Sequence, residues 1–284
     1  MPAINTNAAA NAAVRYLNLN SAQETSSLSK LSSGSRITSA SDDAAGLAIS
    51  TRISSDVTTL QQAATNASQA TSILQTADGG ASNISDILAR MKSLASESAS
   101  GTTTNSSRAY IQSEFTQLSS EIDSISSGTR YSNQSLLDGS SVFASGVSVL
   151  VGSSSTDTIA VTLTSLKSAD LGVSATTAQT SGAVALDVTT QTGANTALTA
   201  LDTAINTVSA ARASIGAQES RFNFSSDSIS TQTQNLQSAN SAIKDVDIAA
   251  EQAKLSSAEV KTQAAVSAEA AANQMPQYLL KLLG

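Results

Sequence analysis

The residues able to do chemistry in this sequence are few in kind. Cys and His are both absent from its 284 positions. That removes the thiolate and imidazole groups that most often act as nucleophile, metal ligand or general base near neutral pH. Carboxylates, amines and hydroxyls remain. The adjacent pair Asp42-Asp43 could serve metal or acid–base chemistry, but Ser41-Asp42-Asp43 stands directly before an Ala-rich stretch and has no partner ligands nearby in sequence. Helix capping accounts for it better, because side-chain oxygens there satisfy open N–H groups and negative charge complements the helix dipole. A Ser-His-Asp arrangement is impossible without His. Ser-Lys chemistry would need neighbours such as Ser29-Lys30 set in a pocket, which thin helical packing seldom provides. The expectation is a protein that is not an enzyme and needs no cofactor or metal.

Composition describes the elements that carry these residues. Only 3% of the chain is aromatic and Trp is absent, while the 40% hydrophobic fraction is mostly Ala with Leu, Ile and Val spaced along it. Small apolar residues at intervals suit helix-on-helix seams rather than one large core. A net charge of −7, with 15 Lys and Arg scattered through the chain, opposes a nucleic-acid partner. No stretch holds about 20 predominantly apolar residues, so no membrane insertion is expected. The opening residues MPAINTNAAANAAV lack the charged and continuous apolar regions of a Sec-type signal peptide.

Pro2 and Pro276 are the only prolines, leaving everything between them free to be helical. Glycines punctuate the chain at Gly34, Gly46, Gly79-Gly80, Gly101 and Gly128, then cluster from Gly139 to Gly193. Leu201, Val208, Ile215, Phe222, Ile229, Leu236 and Ile243 recur at sevens, predicting an unbroken helix with a stripe of roughly 60 Å. Ala204, Ala211, Ala239 and Val246 flank it, with Gln218, Ser225 and Gln232 in the same flanking column. A matching stripe runs through Ile53, Leu60, Ala67, Leu74, Ala81, Leu88 and Ala95, supported by Val57, Ala64, Ile84 and Met91. Ile111, Phe115, Leu118, Ile122 and Ile125 step by four and three, so residues 44–128 read as a helical hairpin.

Residues 139–196 are Ser/Thr-rich and nearly free of charge. Val147, Val149 and Val151, then Ile159, Val161 and Leu163, alternate about a turn at 152–157, which fits a β-hairpin followed by a loop-rich connector; a flexible linker is the alternative. The two ends are helical in composition but sparsely apolar: Val14, Leu17, Leu28 and Leu31 on one side, Met275, Leu279, Leu280 and Leu283 on the other. Helices with no packed face are marginal in water, so both ends are expected to order on association, with these side chains as a polymer interface.

The run LSSGSRITSASDDAAGLAIS, Leu31 to Ser50, resembles the N-terminal signature of bacterial flagellins, and Ile4 to Asn7 resembles their opening. ILQTADGGASNISDILARMKSLA, Ile73 to Ala95, is similar to the family's second helical region. AINTVSAARASIGAQESRF, Ala204 to Phe222, and ANQMPQYLLKLLG, Ala272 to Gly284, are similar to its C-terminal blocks. The matches keep the family's order and cover about residues 1–172 and 196–284.

The resemblance implies a mainly α fold: an elongated antiparallel helical bundle and coiled coil with a small β-hairpin region, like the inner and outer domains of flagellins. Residues 1–43 and 244–284 would form the inner coiled coil, and 44–138 and 197–243 the outer rod. Residues 139–196 would be the hairpin and connector. It implies a self-assembling extracellular filament subunit for motility, exported by a type III route with no cleavable signal peptide. Its partners would be other copies of itself, sister flagellins, a secretion chaperone at the C-terminal helix, and filament cap and hook-junction proteins. A hook-filament junction protein and a cell-surface adhesin are the alternatives. Arg90, Arg212 and Arg221 are candidate intersubunit charges, since charges on a narrow rod can set register between copies. Arg90 and Leu94 in LARMKSLA, with Glu114, match an innate-immune-receptor surface of some flagellins. Ala89 stands where recognised members carry glutamine, so recognition is expected to be weak or absent.

Overall fold

The structure, a computed structural model, describes residues 7–175 and 185–283, with side chains through Met275. In order the elements are α1 (Ala8–Ser33), α2 (Ala44–Ala99), α3 (Asn105–Gly128), the ribbon β1 (Arg130–Tyr131) and β2 (Gln134–Ser135), and a single turn α4 (Val142–Ser145). The hairpin β3 (Val147–Leu150) and β4 (Thr158–Val161) follows, then α5 (Gln191–Lys244) and α6 (Ile248–Leu283). The chain divides into two compact units, residues 1–57 with 234–284 and residues 58–233, the divisions falling within α2 and α5.

In the larger unit the predicted stripes are core. Leu60, Ala67, Leu74, Ala81, Leu88 and Ala95 of α2 are buried, as are Leu201, Val208, Ile215, Phe222 and Ile229 of α5. A second α2 column, Ala63, Ala70, Ala77, Ile84 and Met91, is equally buried, and Ser98 continues it. Only Ile84 and Met91 of that column stand out in the sequence, because Ala does not distinguish an inner from an outer face. Ile111, Phe115 and Ile122 bury the facing side of α3. Arg108, 8% exposed, shapes the preceding turn by donating to the carbonyls of Ser98 (2.8 Å) and Ser100 (2.9 Å) and to Asn105 Oδ1 (3.0 Å).

The β3–β4 hairpin forms with the expected alternation, Val147 opposite Val161 and Val149 opposite Ile159. The connector beyond it is no free linker where it is described: Leu163, Leu166, Leu171, Val173, Leu186 and Val188 are buried in the core. Side chains of the helices hold its backbone. Gln218 of α5 accepts from Thr162 N–H and donates to Thr162 C=O, both at 3.0 Å, supplying the pair of bonds a neighbouring strand would make. Gln112 of α3 accepts from Val188 N–H at 2.7 Å and Asp123 accepts from Ser168 N–H at 2.9 Å and Oγ at 2.8 Å, while ahead of the hairpin Ser126 Oγ donates to Leu137 C=O at 2.6 Å. Each bond satisfies a backbone group that irregular chain would otherwise leave unpaired.

In the other unit α1 packs along α6. Gly34 ends α1 in a left-handed conformation (φ 67°), which a residue without Cβ adopts at little cost. The chain then pairs with the start of the α5–α6 link: Arg36 N–H donates to Lys244 C=O at 2.6 Å and Val246 N–H to Gly34 C=O at 3.1 Å, framing a Ser35–Asp245 bridge. The capping expectation for Asp42-Asp43 divides. Asp43 Oδ1 accepts from Gly46 N–H at 2.8 Å and caps α2. Asp42 instead closes the preceding turn, accepting from Thr38 Oγ1 (2.9 Å), Thr38 N–H (3.0 Å) and Ser39 N–H (3.0 Å). Those bonds, the Thr38 hydroxyl first, hold its carboxyl at about 2.

Gly79 and Gly80 do not interrupt α2, against the punctuation read from sequence; they lie inside it. A Cβ on Gly80 would overlap Thr129 Oγ1 and lie 2.9 Å from Leu137 Cδ1, whereas one on Gly79 meets nothing. Gly79→Ala is therefore expected to stabilise the chain by about 0.5–1 kcal/mol through helix propensity. Gly80→Ala is expected to lose that gain to overlap costing about 1–3 kcal/mol. Urea unfolding of the two variants, moving in opposite directions, is the check. A second prediction concerns Glu219, whose Oε1 is buried with no hydrogen-bond partner among the described residues. Burial, and secondarily the Asp78 charge, push its carboxyl up from 4.5. A raised carboxyl favours the fold below its unfolded value and loses that contribution as pH climbs through the folded value. Glu219→Gln should accordingly raise the thermal midpoint at about pH 7 and leave it unchanged at about pH 3.5.

Candidate functional site

No described residues assemble the ingredients of catalysis. Among them there is no group of three or more carboxylates placed to hold a metal, and no helix is long and apolar enough to cross a membrane. What the molecule offers is helix surface, most distinctively on α1 and α6.

The contact between these two helices follows one pattern on each. On α6 the residues turned inward are Glu251, Leu255, Ala258, Thr262, Ala265, Glu269 and Ala272; on α1 they are Ala10, Ala13, Leu17, Asn20, Glu24, Ser27 and Leu31. Both series step by three and four, the spacing of a coiled-coil seam. It is thin and partly polar. Ser27, 0% exposed, donates from Oγ to Glu251 Oε1 at 2.8 Å, and Glu251 is 4% exposed. Lys254 Nζ lies 2.9 Å from Glu251 Oε2 with its own side chain open to solvent. Lys254 first, then Ser27, hold the Glu251 carboxyl below its ordinary range. At the far end Asn7 accepts from Ala10 N–H at 3.1 Å, capping α1, and donates to Ala272 C=O at 2.8 Å.

The interface residues read from the sequence separate into two sets. Leu17 and Leu31 are half-buried on the α1–α6 seam. Val14 (38% exposed), Leu28 (58%) and Met275 (55%) face outward. Leu279, Leu280 and Leu283 lie outside the described side chains. Outward apolar groups that the sequence reading passed over are Tyr16, Leu19, Ile248 and Val266. Periodicity could have found them, since each falls off the three-and-four series of its own helix.

The candidate charges separate too. Arg212 is bonded to Asp78 through both carboxylate oxygens, at 2.8 and 3.3 Å, tying α5 to α2. Arg90 reaches Glu114 Oε1 from Nε and Nη2 at 2.9 and 2.6 Å, tying α2 to α3 on an exposed surface. Arg221 is exposed and makes no ion pair among the described residues. Leu94, at 3% exposed, belongs to the core beneath Arg90 rather than to the open surface.

Comparison with known proteins agrees with this geometry. Residues 4–142 match the bacterial flagellin N-terminal helical region, and residues 198–283 match the bacterial flagellin C-terminal helical region. A flagellin of Halalkalibacterium halodurans is 36% identical over 280 residues, covering 99% of both chains. The crystal structure of Bacillus cereus flagellin has a TM-score of 0.50 at 27% identity, covering 62% of this chain and 94% of that one. A putative flagellar hook-associated protein from Vibrio parahaemolyticus has a TM-score of 0.58 over 72% of this chain and 100% of that one, but its 14% identity speaks to fold alone. Matched from end to end and in both helical regions, the chain belongs to the bacterial flagellins, the structural, non-catalytic subunits that polymerise into the flagellar filament for motility.

Proposed function

We propose that polymerisation runs through α1 and α6, with Val14, Leu28 and Met275 covered by neighbouring copies and Leu17 and Leu31 tightened against α6 as they are. The outward apolar residues on these two helices carry the reading. Each Leu moved from solvent to full burial contributes about 1.5–3 kcal/mol, and the gain repeats at every subunit of a helical array. Leu279, Leu280 and Leu283 join the same surface in this reading. Charge favours it as well: residues 1–57 and 234–284 hold eight Lys and Arg against nine Asp and Glu, a net −1, leaving −6 of the chain's −7 to residues 58–233. A nearly neutral surface can pack against its own copies with little repulsion.

In this reading residues 1–43 and 244–284 form the inner layer of the filament, 44–138 and 197–243 the outer rod, and 139–196 its hairpin and connector. Arg221, without an ion pair among the described residues, is the intersubunit charge of the three candidates; Arg90 and Arg212 already neutralise Glu114 and Asp78. The protein works outside the cell, in the flagellar filament. A chaperone covers the apolar face of α6 beforehand, and cap and hook-junction proteins bound the growing polymer. A hook-associated role shares the fold, but relatives matched over 99% of their length are named flagellins.

Electron microscopy after seeding tests the proposal: the full chain should give filaments and a chain lacking residues 244–284 only soluble protein. Filaments from the shortened chain would refute it. Immune recognition through Arg90 and Glu114 is expected to be weak, because Ala89 offers no amide and Leu94 is buried. A receptor reporter cell line answering this protein as strongly as a recognised flagellin would contradict that.

A further inference from the structure

The alanines of the α1–α6 seam raise a question of choice. Ala258, Ala265 and Ala272 on α6, and Ala10 and Ala13 on α1, present small and nearly equivalent surfaces. In a polymer, where copies of both helices are crowded together, such a seam could form between two α6 helices as readily as between α1 and α6. Nothing about an alanine column distinguishes them.

Ser27 and Glu251 do. They are the polar residues most deeply buried in the seam, 224 positions apart in sequence, and hydrogen-bonded at 2.8 Å. We propose that this pair is the specificity determinant that makes α6 choose α1 over another α6. Opposite α1, the buried carboxylate meets a hydroxyl donor. Opposite a second α6 it keeps Lys254 on Oε2 but meets alanine or another carboxylate in place of the Ser27 hydroxyl, and a buried Oε1 left without a donor opposes that pairing. A single polar position in an apolar seam is an established means of fixing partners, at some expense in stability. The two helices are also built as near mirror images at this point: Lys254 stands three residues after Glu251 and Lys30 three residues after Ser27. Exchanging donor and acceptor would therefore leave the carboxylate with a lysine at the same spacing. The inference rests on the reading that α1 and α6 form the polymerising surface.

The absence of cysteine makes the test clean, since any disulfide comes from introduced residues. The full-length protein carrying Ala258→Cys, kept soluble and oxidised, reports α6–α6 pairing as a disulfide dimer. The same protein with Asn20→Cys added reports α1–α6 pairing as an internal link, Asn20 and Ala258 lining one groove. Adding Glu251→Leu should raise the dimer by about tenfold and reduce the internal link, given the strength of a hydrogen bond to a charged group. The exchange Ser27→Glu with Glu251→Ser should return both readouts to the parent's level. A dimer yield unmoved by Glu251→Leu, or unrestored by the exchange, overturns the proposal, and restoration by the exchange separates partner choice from simple loss of folding. Seeded filament growth of the same proteins is scored apart. Growth that survives deletion of residues 244–284 would sink the polymer reading, whatever the disulfides report.

Discussion

Pairing between residues far apart in the sequence is the constraint from which the rest follows. α2 and α5 exceed fifty residues each, yet small side chains give neither helix a broad apolar face. Burial is complete only where another helix lies alongside. In the larger unit α2, α3 and α5 cover one another, and the Asp78–Arg212 ion pair joins positions 134 apart. In the other, α1 and α6 do the same through a thinner and more polar contact. Buried aromatic bulk among the described residues is limited to Phe115, Phe143 and Phe222 of the larger unit, so alignment along the helices matters more than the volume enclosed between them.

The helices and their inner faces were largely legible because seven-residue recurrence survives translation into structure: a leucine every second turn has to face one way. The Ala63–Ala70–Ala77 column escaped because an alanine inside and an alanine outside look alike until a neighbour is placed over one of them. The β3–β4 hairpin was legible from alternating valines. The packing of the connector was not. Its anchors, Gln112, Asp123 and Gln218, are polar residues whose partners are mainly backbone atoms, and backbone atoms carry no residue-specific signal.

The same distinction governs the candidate interface. Apolar character picked out Val14, Leu17, Leu28 and Leu31 together, yet two of these lie on the intrachain seam and two face away from it. Separating them requires knowing which face of α1 meets α6. That was hidden because serine, glutamate, asparagine and alanine fill most of the seam, and its leucines, Leu17, Leu31 and Leu255, look no different in sequence from the outward Leu28. Arg90 and Arg212 were visible as charges, but their partners Glu114 and Asp78 belong to other helices and emerge only with the fold.

Because Gln218 and its companions grip the peptide groups of the connector, they take no notice of which side chains that segment carries outward. Amide and carbonyl are common to every residue except proline, which lacks the amide hydrogen. Along its described residues the segment after β4 is thus held in place by contacts that do not depend on its outward side chains. A subunit built this way fixes the backbone of its covering segment from beneath and leaves the outward side chains out of the hold.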